Sequence, residues 1–347
     1  MMARLIVVTQ DVDRDHPALA ATVTKLEALS RRVDELVVLA LGAAPEPLPA
    51  NCRVRSFAGR TRPVRTARYL TALQTELRDP PAAVLAHMCP IYAVLAAPLV
   101  KPRKIPLLLW YTHWKRTRTL GMAARVCDTI LSVDPRSAPV DDARVVAIGH
   151  GIDPAEFPCL PPRRPDGTVR LLALGRYSRA KGLGAVVRAV ARARREGIDV
   201  RLVARGPLLV QEARHERRTL ETVADTLGLR DVVDLGDAVP RAEIPALLGD
   251  CDALVNNMRP GAPDKVVYEA AAACLPVLAS NPVFDSLLPG ELRFPTDGIE
   301  ELAGRIAWLA HLPRAERMEL GATLRERVVT SHSVDHWADG VMEAIAA

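Results

Sequence analysis

The sequence predicts an α/β protein of two Rossmann-like, doubly wound domains facing each other across a cleft. Three observations carry this expectation. Near-continuous apolar runs of strand length alternate with helical stretches, the pattern of parallel strands buried on both faces. The alternation stops in a Pro- and Arg-rich link, PCLPPRRPDG (residues 158–167), and restarts beyond it. The 347 residues suffice for two cores of ordinary size. The expected division is 1–158, 159–331, and a C-terminal helix at 332–347 packing back on the first domain.

Taken in order, the first half reads as a strand at Ala3–Thr9, an amphipathic helix at Pro17–Arg32 and a strand at Glu35–Leu41. RVRSF follows, then a basic helix around Arg62–Arg78 and strands at Ala83–Met88, Pro106–Tyr111, Asp128–Val133 and Arg144–Ile148. The second half restarts with a strand at Val169–Gly175, a helix at Lys181–Glu196, a strand at Asp199–Ala204 and a long helix to about Leu227. VVDLG, a short helix at Arg241–Leu248, ALVNN and the segment Asp264–Ser280 complete it, and three helices follow after Asn281. Sheets of this kind bind ligands beyond the carboxyl ends of their strands.

Composition is globular: 49% apolar and 25% charged. An aromatic content of 4% leaves no stacking platform for single-stranded nucleic acid, and no nucleic-acid-binding module is recognisable. The net charge of +5 and pI near 9.0 suit a phosphate-bearing substrate or an anionic surface. Six cysteines (Cys52, Cys89, Cys127, Cys159, Cys251 and Cys274) lack C-x-x-C spacing, which predicts free thiols in a reducing cytoplasm. The start of the chain reads straight into a strand without the charged and apolar regions of a signal peptide, and apolar runs such as AVLAAPLV are too short to span a bilayer. A cytoplasmic protein is expected.

The most informative stretch is DKVVYEAAAACLPVLAS, Asp264–Ser280. It reads as a short helix ending near Cys274 that feeds a buried strand from Pro276. Lys265 and Glu269 stand four apart and share one helix face, while Asp264 is a candidate N-cap at the end of the helix that attracts phosphate. A surface i,i+4 ion pair would look the same. A second stretch, LGRYSRAKG, places Gly175, Arg176, Lys181 and Gly182 between a strand end and a helix start, where a diphosphate can be held. Neither the P-loop spacing nor the dinucleotide G-x-G-x-x-G is present, which argues against an NTPase and a dehydrogenase.

Together with VVAIGHGID (Val145–Asp153), these two stretches resemble the domain-junction turn, the G-R-x-x-x-x-K-G loop and the E-A-M-A-C-G-x-P-V segment of retaining glycosyltransferases of the GT-B fold, family 4. RLVARGP and VVDLGDAVPRAEIPALLGDCDALVNN also match in order and spacing. The resemblance covers the second half nearly throughout and the first half more weakly, through TQDVDRDHP, AHMCPIY and PLLLWYTHW. It implies a GT-B enzyme with an acceptor side in its first domain and a nucleotide-sugar side in its second. Arg176 and Lys181 would bind the donor diphosphate and stabilise charge on the leaving group, with Gly175 allowing close approach. Glu269 would accept from the ribose hydroxyls, and Lys265 would lie near the phosphates or donor sugar. The base would sit against the loop from Asp237 to Glu243, at Val239. His113, at a strand end in WYTHW, would face the donor sugar or acceptor.

The chain departs from the pattern at three places. The first of two glutamates usual in the family falls at Gly261, a donor-side position where Asp264 is the available substitute; the glycine before the proline is Cys274; and no glycine-rich turn follows the first strand. Asp11, Asp13, Asp15 and His16 form an acidic group on the acceptor side, read as solvated loop charges or as contacts for an amino-bearing acceptor, with metal binding the minor reading. Arg60, Arg62, Arg65 and Arg68 form a basic stripe whose plainer reading is a solvated face and whose other reading is peripheral contact with anionic membrane. The expected activity is transfer of a sugar from a nucleotide diphosphate donor (UDP- or GDP-sugar) to the hydroxyl of a glycan, lipid-linked sugar or secondary metabolite, with retention. It needs no metal, and the nucleotide-sugar is co-substrate in place of a cofactor. A nucleotide-sugar epimerase and a non-catalytic nucleotide-sugar-binding protein are the alternatives.

Overall fold

A computed structural model describes residues 4–14, 16, 19–44, 47–140, 143–161 and 167–347. The chain divides into two compact units, one running through Asp153 and completed by Ser331–Ala347, the other spanning Pro154–Thr330.

In the first unit the elements are β1 (Arg4–Val12), α1 (Ala21–Ser30), β2 (Glu35–Ala43), β3 (Cys52–Ser56), α2 (Arg62–Glu76) and β4 (Ala83–His87). They continue with α3 (Pro90–Val100), β5 (Leu107–Trp110), α4 (Arg118–Val126), β6 (Thr129–Ser132) and β7 (Val145–Ala147). The seven strands form one sheet in the order β3-β2-β1-β4-β5-β6-β7, every pairing parallel, with Leu5 of β1 in register with Leu36 on one side and Ala83 on the other. Burial on both faces explains the unbroken apolar runs: residues 4–9 of β1 and all of β4 are buried.

One face is covered by α2, α3 and α4, whose Tyr69, Leu73, Ala93, Ala97, Leu120 and Ala123 share a core with Ile6, Val37 and Leu109. Two of these helices start on threonine caps, Thr61 accepting from Val64 N and Thr117 from Leu120 N. In this same unit α1 packs against the terminal helix, Val334–Ala346. There Lys25 is buried, its Nζ 3.9 Å from the centre of the Trp110 ring and 5.2 Å from that of Trp337. The GHG turn after β7 needs its glycines. Gly149 has φ +75°, and a side chain there would meet the Ser331 carbonyl; Gly151 has φ +78° against Lys25 and Trp337.

The second unit runs β8 (Val169–Leu174), α5 (Leu183–Arg195), β9 (Val200–Arg205), α6 (Gln211–Thr226), β10 (Val233–Gly236), α7 (Ile244–Gly249), β11 (Ala253–Asn256), α8 (Lys265–Ala272) and β12 (Val277–Ala279). The helices α9 (Ile299–His311) and α10 (Arg314–His332) follow, and α11 (Val334–Ala346) closes the chain. The parallel sheet has the order β10-β9-β8-β11-β12. Strand order reverses at β8, so the loops after β8 and β11 flank the switch point where such sheets take ligands.

Element types follow the sequence expectations, and most differences are of boundary. The first helix spans Ala21–Ser30, and Pro17, its expected start, lies outside the described residues. The cysteines require a correction. Cys159 and Cys274, 115 residues apart, form a disulfide with a Cα–Cα distance of 5.1 Å, whereas Cys52, Cys89, Cys127 and Cys251 are in no disulfide among the described residues. Spacing could not reveal this pair, because Cys159 lies in the irregular link and Cys274 just beyond α8; only the fold brings them together.

Candidate functional site

The loop after β8 is shaped by its glycines. Gly175 has φ +119°, and a Cβ there would lie 2.6 Å from Lys181 Nζ. Gly182 is left-handed at φ +56° and opens α5; a side chain would collide with the Asn257 amide and carbonyl and with Asp297. Between them, Tyr177 turns inward and its hydroxyl donates to the Ala204 (3.1 Å) and Gly236 (2.7 Å) carbonyls, pinning the loop to β9 and β10. Burial pushes this phenol up to about 12. Arg176 is left exposed, with no hydrogen bond or ion pair among the described residues.

Lys181 is drawn the other way. Its Nζ donates to the Leu174 carbonyl at 3.2 Å and forms a close ion pair with Asp264 Oδ2. Asp264 stands at the N-cap of α8 by backbone position, but its side chain makes no capping bond. The expected cap is therefore corrected: the carboxylate accepts from Lys181 and from Asn256 Nδ2 at 2.8 Å, stronger demands than a backbone N–H that can be met otherwise. Asn256 and Asn257, both buried at the end of β11, complete this wall. Asn257 donates to the Gly182 carbonyl (2.9 Å) and to Asp297 (2.8 Å), while Asn256 Oδ1 is buried with no partner among the described residues.

Glu269 is 1% exposed, on a helix buried from Val266 through Ala272, so it is no surface ion pair. Lys265 Nζ lies 3.8 Å from its Oε1, and Arg241 Nη1 donates to the same oxygen at 3.2 Å. Arg241 also donates to Glu156 from Nε (3.0 Å) and Nη2 (2.5 Å), and its guanidinium lies 5.4 Å from the centre of the Phe157 ring. Burial pulls the Arg241 pKa down, but the charges of Glu269 and Glu156 outweigh it and hold the group above its usual value.

The second unit thus brings Gly175, Lys181, Asp264, Lys265 and Glu269 into one linked set. Val239 is half-buried on the loop two residues before Arg241. Gly261 precedes Asp264 on a segment where it adopts φ +124°, a conformation that excludes the glutamate expected there. Cys274 takes the left-handed conformation (φ +61°) that favours glycine after a helix, and its disulfide holds it there. In the first unit, Asp11 is at the end of β1 against Gly42 of β2, Asp13 follows it, and Asp15 lies outside the described residues. His113, after β5, accepts the Lys115 N–H on Nδ1 at 2.9 Å and stacks on Trp114 at 5.5 Å.

Sequence reasoning missed Arg241, Glu156, Asn256 and Asn257. The asparagines carried a signal, two amides at the carboxyl end of an apolar strand; the Arg241–Glu156 pair, 85 residues apart, carried none.

A family model described as glycosyl transferases group 1 matches residues 161–327. Among curated proteins none matches the chain significantly. Several solved structures share the fold over nearly the whole length. Sucrose-phosphate synthase from Thermosynechococcus elongatus superposes with a TM-score of 0.78 at 16% identity, covering 99% of this chain and 98% of its own. The Anabaena protein HepE, in complex with UDP and glucose, gives 0.76 at 15% identity over all of both chains. The α,α-trehalose 6-phosphate synthase of Burkholderia multivorans gives 0.74 at 16%, covering 99% and 98%. Residues 161–327, which hold the loop after β8, the β11 asparagines and α8, are thus similar to the glycosyl transferases group 1 family, and the chain as a whole has the GT-B fold.

Proposed function

We propose that this protein transfers a sugar from a nucleotide diphosphate-sugar to an acceptor hydroxyl with retention of anomeric configuration. The observation that carries the reading is the linked set in the second unit, in which Lys181, on a glycine-shaped loop that also bears Arg176, pairs with Asp264 at the start of α8, the helix that holds the buried Glu269. Arg176 and Lys181 supply cations for the donor diphosphate, and charge growing on it as the glycosidic bond breaks strengthens both contacts. Glu269 meets Arg241 and Lys265 through Oε1, which leaves its second oxygen for ribose hydroxyls. In a retaining transfer a phosphate oxygen of the departing nucleotide takes the acceptor proton on the same face, so no separate base is required. HepE carries UDP and glucose in its solved complex, which makes UDP the first nucleotide to test here.

The test is thermal unfolding with UDP, GDP, ADP and TDP, with and without Mg²⁺, on the native protein and on Lys181→Ala and Glu269→Ala. A ligand that binds only the folded state raises Tm with its occupancy. One nucleotide is expected to stabilise the native protein, with either substitution weakening its binding about 10- to 100-fold, the range of a lost charged hydrogen bond. No shift with any nucleotide would overturn the reading. Gly261 and Cys274 favour a second one, donor binding without transfer; stabilisation by a nucleotide-sugar that is never consumed, with any of a panel of glycan and lipid-linked acceptors, would select it.

A further inference from the structure

The disulfide of the second unit closes a ring of contacts that runs through Glu269. Glu269 lies in the last turn of α8, where its carbonyl accepts the Ala273 N–H at 3.1 Å, and Cys274 is the next residue. Across the sulfur bridge, Cys159 stands in the segment that holds Arg241: Glu156 accepts from its Nε and Nη2, and the Phe157 ring lies 5.4 Å from its guanidinium. Arg241 then returns to Glu269 Oε1 at 3.2 Å. All of these residues belong to one unit. Carboxylate and guanidinium are thus set twice, by their own contact and through the bridge.

The bridge is within reach of small molecules. Cys159 is exposed and Cys274 half-buried, and both border the largely apolar cavity of about 540 Å³ that α7 and α10 help to wall. Accessible disulfides are the ones that small thiols exchange with, whereas buried ones resist. Backbone conformation gives the exchange a consequence. Cys274 is held at φ +61°, in the left-handed region that disfavours every residue with a side chain, so cutting the bridge lets it relax and the last turn of α8 with it. Arg325 still donates to the Phe157 and Ala272 carbonyls, and reduction therefore loosens the ring without taking the fold apart.

We propose that Cys159–Cys274 is a reversible exchange site for a small dithiol and that its oxidation state sets the affinity of the donor site. A thiolate of the dithiol attacks the exposed Cys159 sulfur; the S–S bond breaks, and Cys274 leaves as a thiolate that takes a proton. The second thiolate of the reagent then attacks the reagent's own sulfur in the mixed disulfide, which releases Cys159 as a thiol and closes a cyclic disulfide. Two electrons pass to the protein sulfurs. A small linear disulfide reverses the change and takes up both electrons as two thiols. In the loosened ring a nucleotide must restore the setting of Glu269 and Arg241 as it binds, and it binds more weakly. This consequence rests on the reading of Glu269 as the ribose contact.

The test is titration calorimetry of the full chain with UDP, GDP, ADP and TDP, well below the Tm of the reduced form. It is run before dithiothreitol treatment, after removal of the reductant, and after re-oxidation with oxidised glutathione. The count of titratable thiols should rise by two on reduction. The nucleotide that binds the oxidised protein is expected to bind the reduced one about five- to tenfold more weakly, a coupling of ordinary size, and to regain its affinity on re-oxidation. Cys159→Ala should bind as the reduced protein does under both conditions, whereas Cys251→Ala, at the same cavity, should respond as the native protein does. Amide hydrogen exchange should quicken on reduction at residues 154–160 and 265–274 while residues 83–110 keep their protection. Circular dichroism establishes that each form and variant is folded. A thiol count that does not rise, equal affinity of the two forms, unchanged exchange at residues 265–274, or a redox response that survives in Cys159→Ala would each overturn this inference alone. No binding to either form would overturn the donor reading, and this control of it as well.

Discussion

Glu269 makes the strongest single-residue argument in this chain. A carboxylate removed from water is tolerated only if paired, and here the partners are Lys265 at 3.8 Å and Arg241 at 3.2 Å. Lys265 was legible because helix spacing fixes an i,i+4 neighbour. Arg241 was not, because nothing in a sequence says that a residue on the loop before α7 returns to α8. Truncating Arg241 to alanine leaves Glu269 with the longer contact alone and Glu156 without its guanidinium. Breaking a fully buried pair costs 3–5 kcal/mol; with the Arg241 side chain 29% accessible, about 2 kcal/mol is expected. Arg241→Lys, which keeps the charge but not the fork, should fall between. Urea unfolding would check both, and an Arg241→Ala variant within about 0.5 kcal/mol of wild type would show the pairing to be incidental.

At the scale of the element, α8 shows what a sequence discloses and what it conceals. Its helical character and the buried strand after it were readable from the run of alanines and valines between polar punctuation, while the burial of the helix itself was not, since a surface i,i+4 pair would read the same. Two features were hidden for one physical reason: both depend on groups distant in sequence. Asp264 looked like a cap because caps are local, yet Lys181, 83 residues away, takes its carboxylate. Cys274 looked like a replaced glycine, yet Cys159 holds it. Arg325 ties the same two segments together by donating to the Phe157 and Ala272 carbonyls. The disulfide borders a largely apolar cavity of about 540 Å³, also lined by Cys251 and Leu248, through which a small reductant can reach it. In the chain-entropy view, a cross-link closing a loop of this length restricts the unfolded chain by about 4–5 kcal/mol. Cys274→Ser should lose most of this, and so should the native protein in excess dithiothreitol. Cys274→Gly loses the same cross-link but regains the residue that suits φ +61°, and should be about 1 kcal/mol more stable than the serine variant. Equal stability of native and both variants under oxidising conditions would mean that the bond does not constrain the chain in solution.

Over the whole molecule, ionisable groups are buried unequally, and this predicts how the first unit responds to acid. His332 is buried and its pKa is lowered to about 4, first by loss of water and then by the neighbouring His336. His87, stacked on Trp110 at 4.9 Å, is lowered too, by burial and then by the Lys25 charge. Each imidazole is held neutral in the fold but takes a proton at about pH 6.5 once unfolded. The folded state thus binds fewer protons in this window, and the stability these groups contribute is complete above pH 6.5 and lost as the pH falls towards 4. For His332 the loss integrates to about 3 kcal/mol. The carboxylates held low by arginines, Glu35 and Glu76 by Arg53, Asp335 by Arg31 and Asp339 by Arg32, contribute above their unfolded values near 4 and fail only below them. Between pH 6.5 and 5 the histidines therefore dominate. Three of the four tryptophans belong to the first unit and the fourth, Trp308, to the second, so a Trp308→Phe background makes fluorescence report the first unit alone. Urea midpoints in that background should fall from pH 7.5 to pH 5, and His332→Gln should reduce the fall. An unchanged pH slope in the glutamine variant would mean that His332 is protonated in the fold after all, and that Asp134, whose charge raises its pKa, outweighs the cost of burial.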